Sequence, residues 1–138
     1  MSFTRMNHNQ NVKILNLLTK MAEAVPPVRS ARLASAVVLK GDIVSFGVNQ
    51  LKTHPFQAKY SKNSQALYMH SENAAILRAL KKIGEDELKN SILYVARVKN
   101  PGNVWGLACP CEGCMKAIDK FKIKNVVYTN ENERYTVI

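Results

Sequence analysis

The chain has 138 residues, 46% of them apolar, and a formal net charge of +10. That length suits one domain, expected to span residues 1–138 with a real core. No apolar stretch approaches a membrane span, and no apolar run follows the basic start as a signal peptide requires, so a soluble cytoplasmic protein is expected.

Residues 1–9 are polar and expected to be loosely held. From Gln10 the pattern turns helical, with Ile14, Leu17, Leu18, Met21 and Val25 on one face, and Pro26-Pro27 ends the helix. Leu33 to Leu39 reads as a strand, Lys40-Gly41-Asp42 as a tight turn and Ile43 to Val48 as the hairpin partner. Asn49 to Met69 is long, polar and irregular, a kind of loop that is often functional. A second helix is expected from about His70 to Ile83, closed by Gly84. Ile92 to Val98 is a strand, residues 100–103 a turn, and Val104 to Leu107 continues the sheet. A third helix starts near Cys111 and carries Met115, Ile118 and Phe121 inward. Asn125 to Thr129 is a further strand, and Arg134 to Ile138 is the last. Strands separated by helices call for a sheet with helices on its faces. The last two strands are joined by too few residues for a crossover and should form an antiparallel hairpin.

Two segments carry the candidate chemistry: His70-Ser71-Glu72 opening the second helix, and Pro110-Cys111-Glu112-Gly113-Cys114 opening the third. Cys111 and Cys114 lie one helical turn apart, so both sulfurs face one side. A helix N-terminus favours the thiolate form that a metal needs. Pro110 fits just ahead of a helix, where its missing N–H loses no ladder bond. His70 adds a nitrogen ligand. Three protein ligands around a Zn2+ ion, one per chain, leave the fourth tetrahedral position to water, as in catalytic sites. Glu72 is too close along the chain to be a comfortable fourth ligand, yet near enough to exchange protons with that water. Cys109 could instead complete a four-ligand clamp that only holds the fold. It lies before the proline and off the helical turn, so it is expected to be a small buried residue.

The paired H-x-E and P-C-x-x-C segments resemble the signature of the zinc-dependent cytidine and deoxycytidylate deaminase superfamily. The resemblance runs from about Gln10 to the C-terminus. It implies an α/β, three-layer α-β-α fold with a mixed central sheet of about five strands and a C-terminal antiparallel hairpin. It implies hydrolytic loss of a nucleobase amino group, with Glu72 catalytic and His70, Cys111 and Cys114 on the metal. It also implies substrate contacts from Asn49, Ser71 and Pro110. The loop of residues 52–62 combines cations with aromatics and no acid, so its cations could contact phosphate and Phe56 and Tyr60 could stack on a base. Asn49 could instead be a turn residue, and Phe56, Tyr60 and Tyr68 could be packing. Ser71 stands where the family usually has alanine, so its contact would come from the backbone. His54 is not expected on the metal.

His70 as first ligand points toward the deoxycytidylate, tRNA-adenosine and polynucleotide branches. Asn73 directly after Glu72 departs from the deoxycytidylate pattern, and the terminal hairpin resembles the free-cytidine branch. The stretch from Tyr94 through Cys114 looks like small deaminases often carried by bacteriophages, which would place it in the host cytoplasm. Trp105 lies too far upstream of Pro110 to match polynucleotide deaminases. A free cytosine nucleotide or nucleoside is therefore the first substrate expectation. Single-stranded nucleic acid comes second, a free purine third and a non-catalytic zinc-stabilised binding module last. Up to Ser71 the only acids are Glu23 and Asp42, against nine Lys and Arg. This half should attract phosphate or a nucleic acid strand, or simply form a solvated basic face. Membrane partners are not expected, and a homo-oligomer is.

Overall fold

The computed structural model describes residues 6–25, 32–50, 54–60, 69–99 and 102–138. Helix α1 (His8–Glu23) opens on a reciprocal cap. Asn7 Oδ1 accepts the Gln10 N–H, and Gln10 Oε1 accepts the Asn7 N–H. The helix thus takes in His8 and Asn9, which were expected in the loose start, and it ends at Glu23. Pro26-Pro27 lies outside the described residues. The buried apolar side chains of α1 are Ile14, Leu15, Leu18 and Ala22, whereas Leu17, expected inside, is 41% exposed. Leu15 and Leu17 point about 200° apart on a helix, and the sheet covers the Leu15 side.

Strands β1 (Arg32–Leu39) and β2 (Asp42–Val48) form an antiparallel hairpin. Lys40 and Gly41 turn it with φ of 52° and 84°, the left-handed pair that a two-residue hairpin loop requires. The stretch expected to be irregular contains a short helix, α2 (Pro55–Lys59), capped by His54. Helix α3 (Ser71–Ile83) follows His70 as its N-cap and stops at Gly84, φ 82°. A one-turn helix, α4 (Glu85–Leu88), leads into β3 (Ile92–Lys99).

β3 is the hub. One edge pairs with β1, antiparallel. On the other edge, Ile92–Val95 pair in parallel with β5 (Asn125–Thr129), while Arg97–Lys99 pair antiparallel with β4 (Val104–Gly106). Helix α5 (Glu112–Lys120) is the crossover between β4 and β5, and β6 (Tyr135–Val137) closes the hairpin expected at the C-terminus. The strand order is β2-β1-β3-β5-β6 with β4 on β3. The sheet therefore has six strands rather than about five, because the three-residue β4 continues in line beyond β5.

Side-chain alternation divides the core. Ala34, Ala36, Val38, Tyr94, Ala96 and Val98 pack beneath α1. Val37, Leu93 and Val95 face Ile76 and Ala79 of α3 and Ala117 and Ile118 of α5. Each fully buried Val, Leu or Ile contributes about 1.5–3 kcal/mol. The three layers α-β-α are those expected. Trp105 serves packing, with Nε1 donating to Thr19 Oγ1 at 2.8 Å. Among the described residues, no helix is long and apolar enough to cross a membrane.

Candidate active site

The two motif segments meet because α3 and α5 lie on the same face of the sheet with their N-termini together. Close packing of α3 on β2 sets the first half. A Cβ at Gly47 would stand 2.3 Å from the Ser71 carbonyl oxygen and 2.5 Å from the Ala75 nitrogen, so only glycine admits the helix there. Gln57 of α2 sets the backbone at His70: its Oε1 accepts the His70 N–H and the Asn73 side-chain amide, each at 3.0 Å. Gln57 Nε2 and Asn73 Oδ1 are buried and have no hydrogen-bond partner among the described residues. Such atoms cost about 1–3 kcal/mol each and are tolerated mainly at functional sites.

His70 is the N-cap of α3 and Cys111 that of α5, and neither side chain caps its helix. They turn toward each other instead. His70 Nδ1 lies 3.3 Å from Cys114 Sγ and 3.4 Å from Cys111 Sγ, and all three ligand atoms lie within 4.8 Å of one another. Neighbouring nitrogen and sulfur ligands on a tetrahedral zinc ion stand about 3.6 Å apart. The separations and the donor set therefore fit zinc. Cys109 is not in this cluster and is exposed, contrary to the buried position expected. Its neighbours Ala108 and Pro110 are both buried, so the extended segment turns Cys109 outward.

Charge is already arranged for a metal. Cys111 is held down to about 3 by the hydrogen bond with Cys114, against the effect of burial and with help from His70. The same contact pushes Cys114 up, together with burial and the nearby Glu72 carboxylate. His70 is raised mainly by its bond to Cys111. A metal bound among these three groups would displace their protons.

Glu72, the second residue of α3, is 4% exposed. Burial raises its pKa, while the Ser71 hydroxyl, the backbone and His70 oppose the rise. Ser71 Oγ donates to Glu72 Oε1 at 2.8 Å and lies 2.7 Å from Ser35 Oγ on β1.

The other expected site residues fall into two groups. Pro110 is buried directly before Cys111, and Ser71 directly follows His70. Asn49 is buried at the end of β2, where its Oδ1 accepts the Leu33 N–H at 2.8 Å. Phe56 and Tyr60 pack with Phe121 of α5, with ring centroids 4.9–6.2 Å apart, and Tyr60 is only 8% exposed. Tyr68 lies outside the described residues, as do Lys52, Thr53, Ser61 and Lys62 of the stretch expected to be irregular. His54 is not in the metal cluster; its Nδ1 accepts the Phe56 N–H at 3.0 Å.

Sequence reasoning passed over Ser35, Gln57 and Arg97. Ser35 left a trace, being the one hydroxyl in the apolar run from Leu33 to Leu39. Arg97 follows Leu93 and Val95 in alternation, so it shares their face of the sheet. Its Nε is buried without a hydrogen-bond partner among the described residues, and its side chain lies against Gly106.

Solved structures share this arrangement of elements. A cytidine deaminase from Burkholderia pseudomallei superposes with a TM-score of 0.65 at 18% identity, over 96% of this chain and 92% of that one. A dCMP deaminase from the cyanophage S-TIM5 gives 0.59 at 21% identity, over 91% and 86%. A guanine deaminase from Bacillus subtilis gives 0.55 at 24% identity, over 91% and 65%. At these identities the likeness establishes the fold. No curated protein sequence matches the chain. The family model for the cytidine and deoxycytidylate deaminase zinc-binding region matches residues 8–130, a span that holds both motif segments. The chain accordingly belongs to the zinc-binding cytidine and deoxycytidylate deaminase family, whose members are hydrolytic deaminases of nucleobases.

Proposed function

We propose that this deaminase converts the cytosine of a free nucleotide or nucleoside to uracil, with His70, Cys111 and Cys114 holding one zinc ion and Glu72 moving the protons. The observation that carries the reading is a buried carboxylate two residues after His70, in a cluster where the described residues offer three ligand groups; three protein ligands would leave one tetrahedral corner to water. Zinc supplies Lewis acidity there, making water acidic enough to lose a proton at about pH 7. Glu72 accepts that proton and delivers it to the ring nitrogen as water oxygen adds to the amino-bearing carbon. A second proton passes through Glu72 to the departing amine, and ammonia leaves as the carbonyl forms. Burial supports this shuttle, because it holds Glu72 above the usual carboxylate range. The first-turn N–H groups of α3 and α5, which have no carbonyl acceptor within their own helix, are the proposed donors for the base carbonyl, and Asn49, Ser71, Pro110, Phe56 and Tyr60 are the proposed surroundings of the substrate.

Two features favour a phosphate-bearing substrate. The net charge is +10, and Arg97 keeps a buried guanidinium nitrogen, without a hydrogen-bond partner among the described residues, on the sheet face shared with α3 and α5. An anionic group would satisfy that nitrogen. The closing hairpin of β5 and β6, like that of the free-cytidine branch, favours a small substrate over a strand. Single-stranded nucleic acid is the second reading, favoured by the charge alone. The test is ammonia release from cytidine, deoxycytidine, their monophosphates, adenosine, guanine and a single-stranded oligonucleotide. Turnover of the free cytosine compounds, only mildly dependent on salt, is expected. Turnover confined to the oligonucleotide and falling steeply with salt would replace the first reading with the second.

A further inference from the structure

The Glu72 carboxylate does not stand alone. Ser71 Oγ donates to its Oε1 at 2.8 Å, and Ser35 Oγ lies 2.7 Å from Ser71 Oγ. Ser35 is 0% exposed, Ser71 1% and Glu72 4%, so bulk water does not compete for these bonds. The direction of the chain follows from proton counting. Ser71 spends its single hydroxyl proton on the bond to Glu72 Oε1. Ser71 can then only accept from Ser35, whose hydroxyl becomes the donor at the head of the line. The three groups come from two elements, Ser35 from the middle of β1 and the other two from the first turn of α3.

We propose that Ser35 and Ser71 are positioning residues for proton transfer: they tether one oxygen of Glu72 and leave the other as the working atom. The proposal rests on the reading that Glu72 moves the protons. Two properties follow from the line of donors. The tether fixes the carboxylate rotamer, so the working oxygen holds one orientation instead of rotating between states. It also makes the two oxygens inequivalent, because the bond from Ser71 withdraws electron density from Oε1 and leaves Oε2 the more basic of the two. The proton in transit is thereby favoured on Oε2. Ser35 acts only through Ser71, since it holds that hydroxyl in its donating orientation.

The experiment uses the zinc-loaded enzyme and the variants Ser71→Ala, Ser35→Ala, the double variant, Glu72→Gln and Ser45→Ala. Ser45 also buries a hydroxyl against α3, donating to the Ala75 carbonyl at 2.7 Å, but it does not touch Glu72. Ser71→Ala should lower kcat about tenfold, the scale of one hydrogen bond to a charged group, with KM and zinc content unchanged. Ser35→Ala should lower kcat by less, and the double variant should match Ser71→Ala, because the two act in series. Ser45→Ala should lose stability and keep kcat. A second readout is the infrared carboxylate band assigned by its loss in Glu72→Gln. It should shift in Ser71→Ala and also in Ser35→Ala, although Ser35 does not contact the carboxylate. Wild-type kcat in Ser71→Ala, an unmoved band in Ser35→Ala, or independent multiplying losses would overturn the tether. If Ser71→Ala does not fold, the band in Ser35→Ala decides alone. Wild-type turnover in Glu72→Gln would remove the parent reading itself, a result distinct from an active Ser71→Ala beside an inactive Glu72→Gln.

Discussion

Gly47→Ala should damage both stability and metal binding, although residue 47 touches no ligand. The added Cβ would lie 2.3 Å from the Ser71 carbonyl oxygen, 2.5 Å from the Ala75 nitrogen and 2.9 Å from the Ala74 Cβ. Real Cβ contacts essentially never fall below 3.0 Å, so β2 and α3 must separate by at least 0.7 Å (3.0 − 2.3), and by 1.1 Å (3.4 − 2.3) for an ordinary contact. Two of the obstructing atoms are helix backbone, so no side chain can swing away; the helix itself must move. Overpacking of this kind costs about 1–3 kcal/mol, and backbone obstruction places it at the upper end. For a chain of this size that is a fall in Tm of about 6–12 °C. The same movement carries His70 away from Cys111 and Cys114. Zinc ligands tolerate about 0.2 Å, so zinc affinity should fall as well. Thermal melts of the metal-free protein give the first effect, and competition with a chromophoric chelator gives the second. A Gly47→Ala protein with wild-type Tm and zinc affinity would refute the claim that this contact places α3.

Other substitutions separate the remaining roles. Glu72→Gln should keep one zinc per chain by elemental analysis and lose about 10³-fold in kcat, within the range for general acid–base groups. Cys114→Ala should weaken zinc binding at least about 100-fold, beyond the effect of an outer-shell partner, and lower Tm in the presence of zinc. Arg97→Gln should raise KM for deoxycytidylate about tenfold and leave deoxycytidine within twofold in the same assay. Equal changes for both substrates would remove Arg97 from phosphate binding.

The elements most legible in the sequence were those with a strong local pattern. Asn125–Thr129 was delimited to the residue, because the polar turn at 130–133 and the helix before it bound a short apolar run. The start of α3 followed from the motif, and its end from Gly84. What failed to show was decided by tertiary contacts. Leu15 and Leu17 are equally apolar, and only the position of the sheet selects Leu15 for the core. Helices α2 and α4 are five and four residues long, too short to display a period, although His54-Pro55 is a legible helix start. The ligand trio could be read from spacing because each half of the motif is local. The tethers could not, because Ser35 lies 36 residues from Ser71 and Gln57 lies 13 from His70. Only the folded sheet and the seating of α2 bring those partners together. The packing of Phe56 and Tyr60 on Phe121 has the same origin: an aromatic side chain in a polar loop does not announce which side it will face.

X-ray absorption at the zinc edge of the loaded protein shows whether the ligand set beside Glu72 is incomplete. Two sulfur scatterers at about 2.3 Å and two nitrogen or oxygen scatterers at about 2.0–2.1 Å are expected, one of them exchangeable for an added small anion. Three sulfurs, or a first shell that no added ligand alters, would mean that protein atoms fill the fourth corner and would contradict an incomplete set.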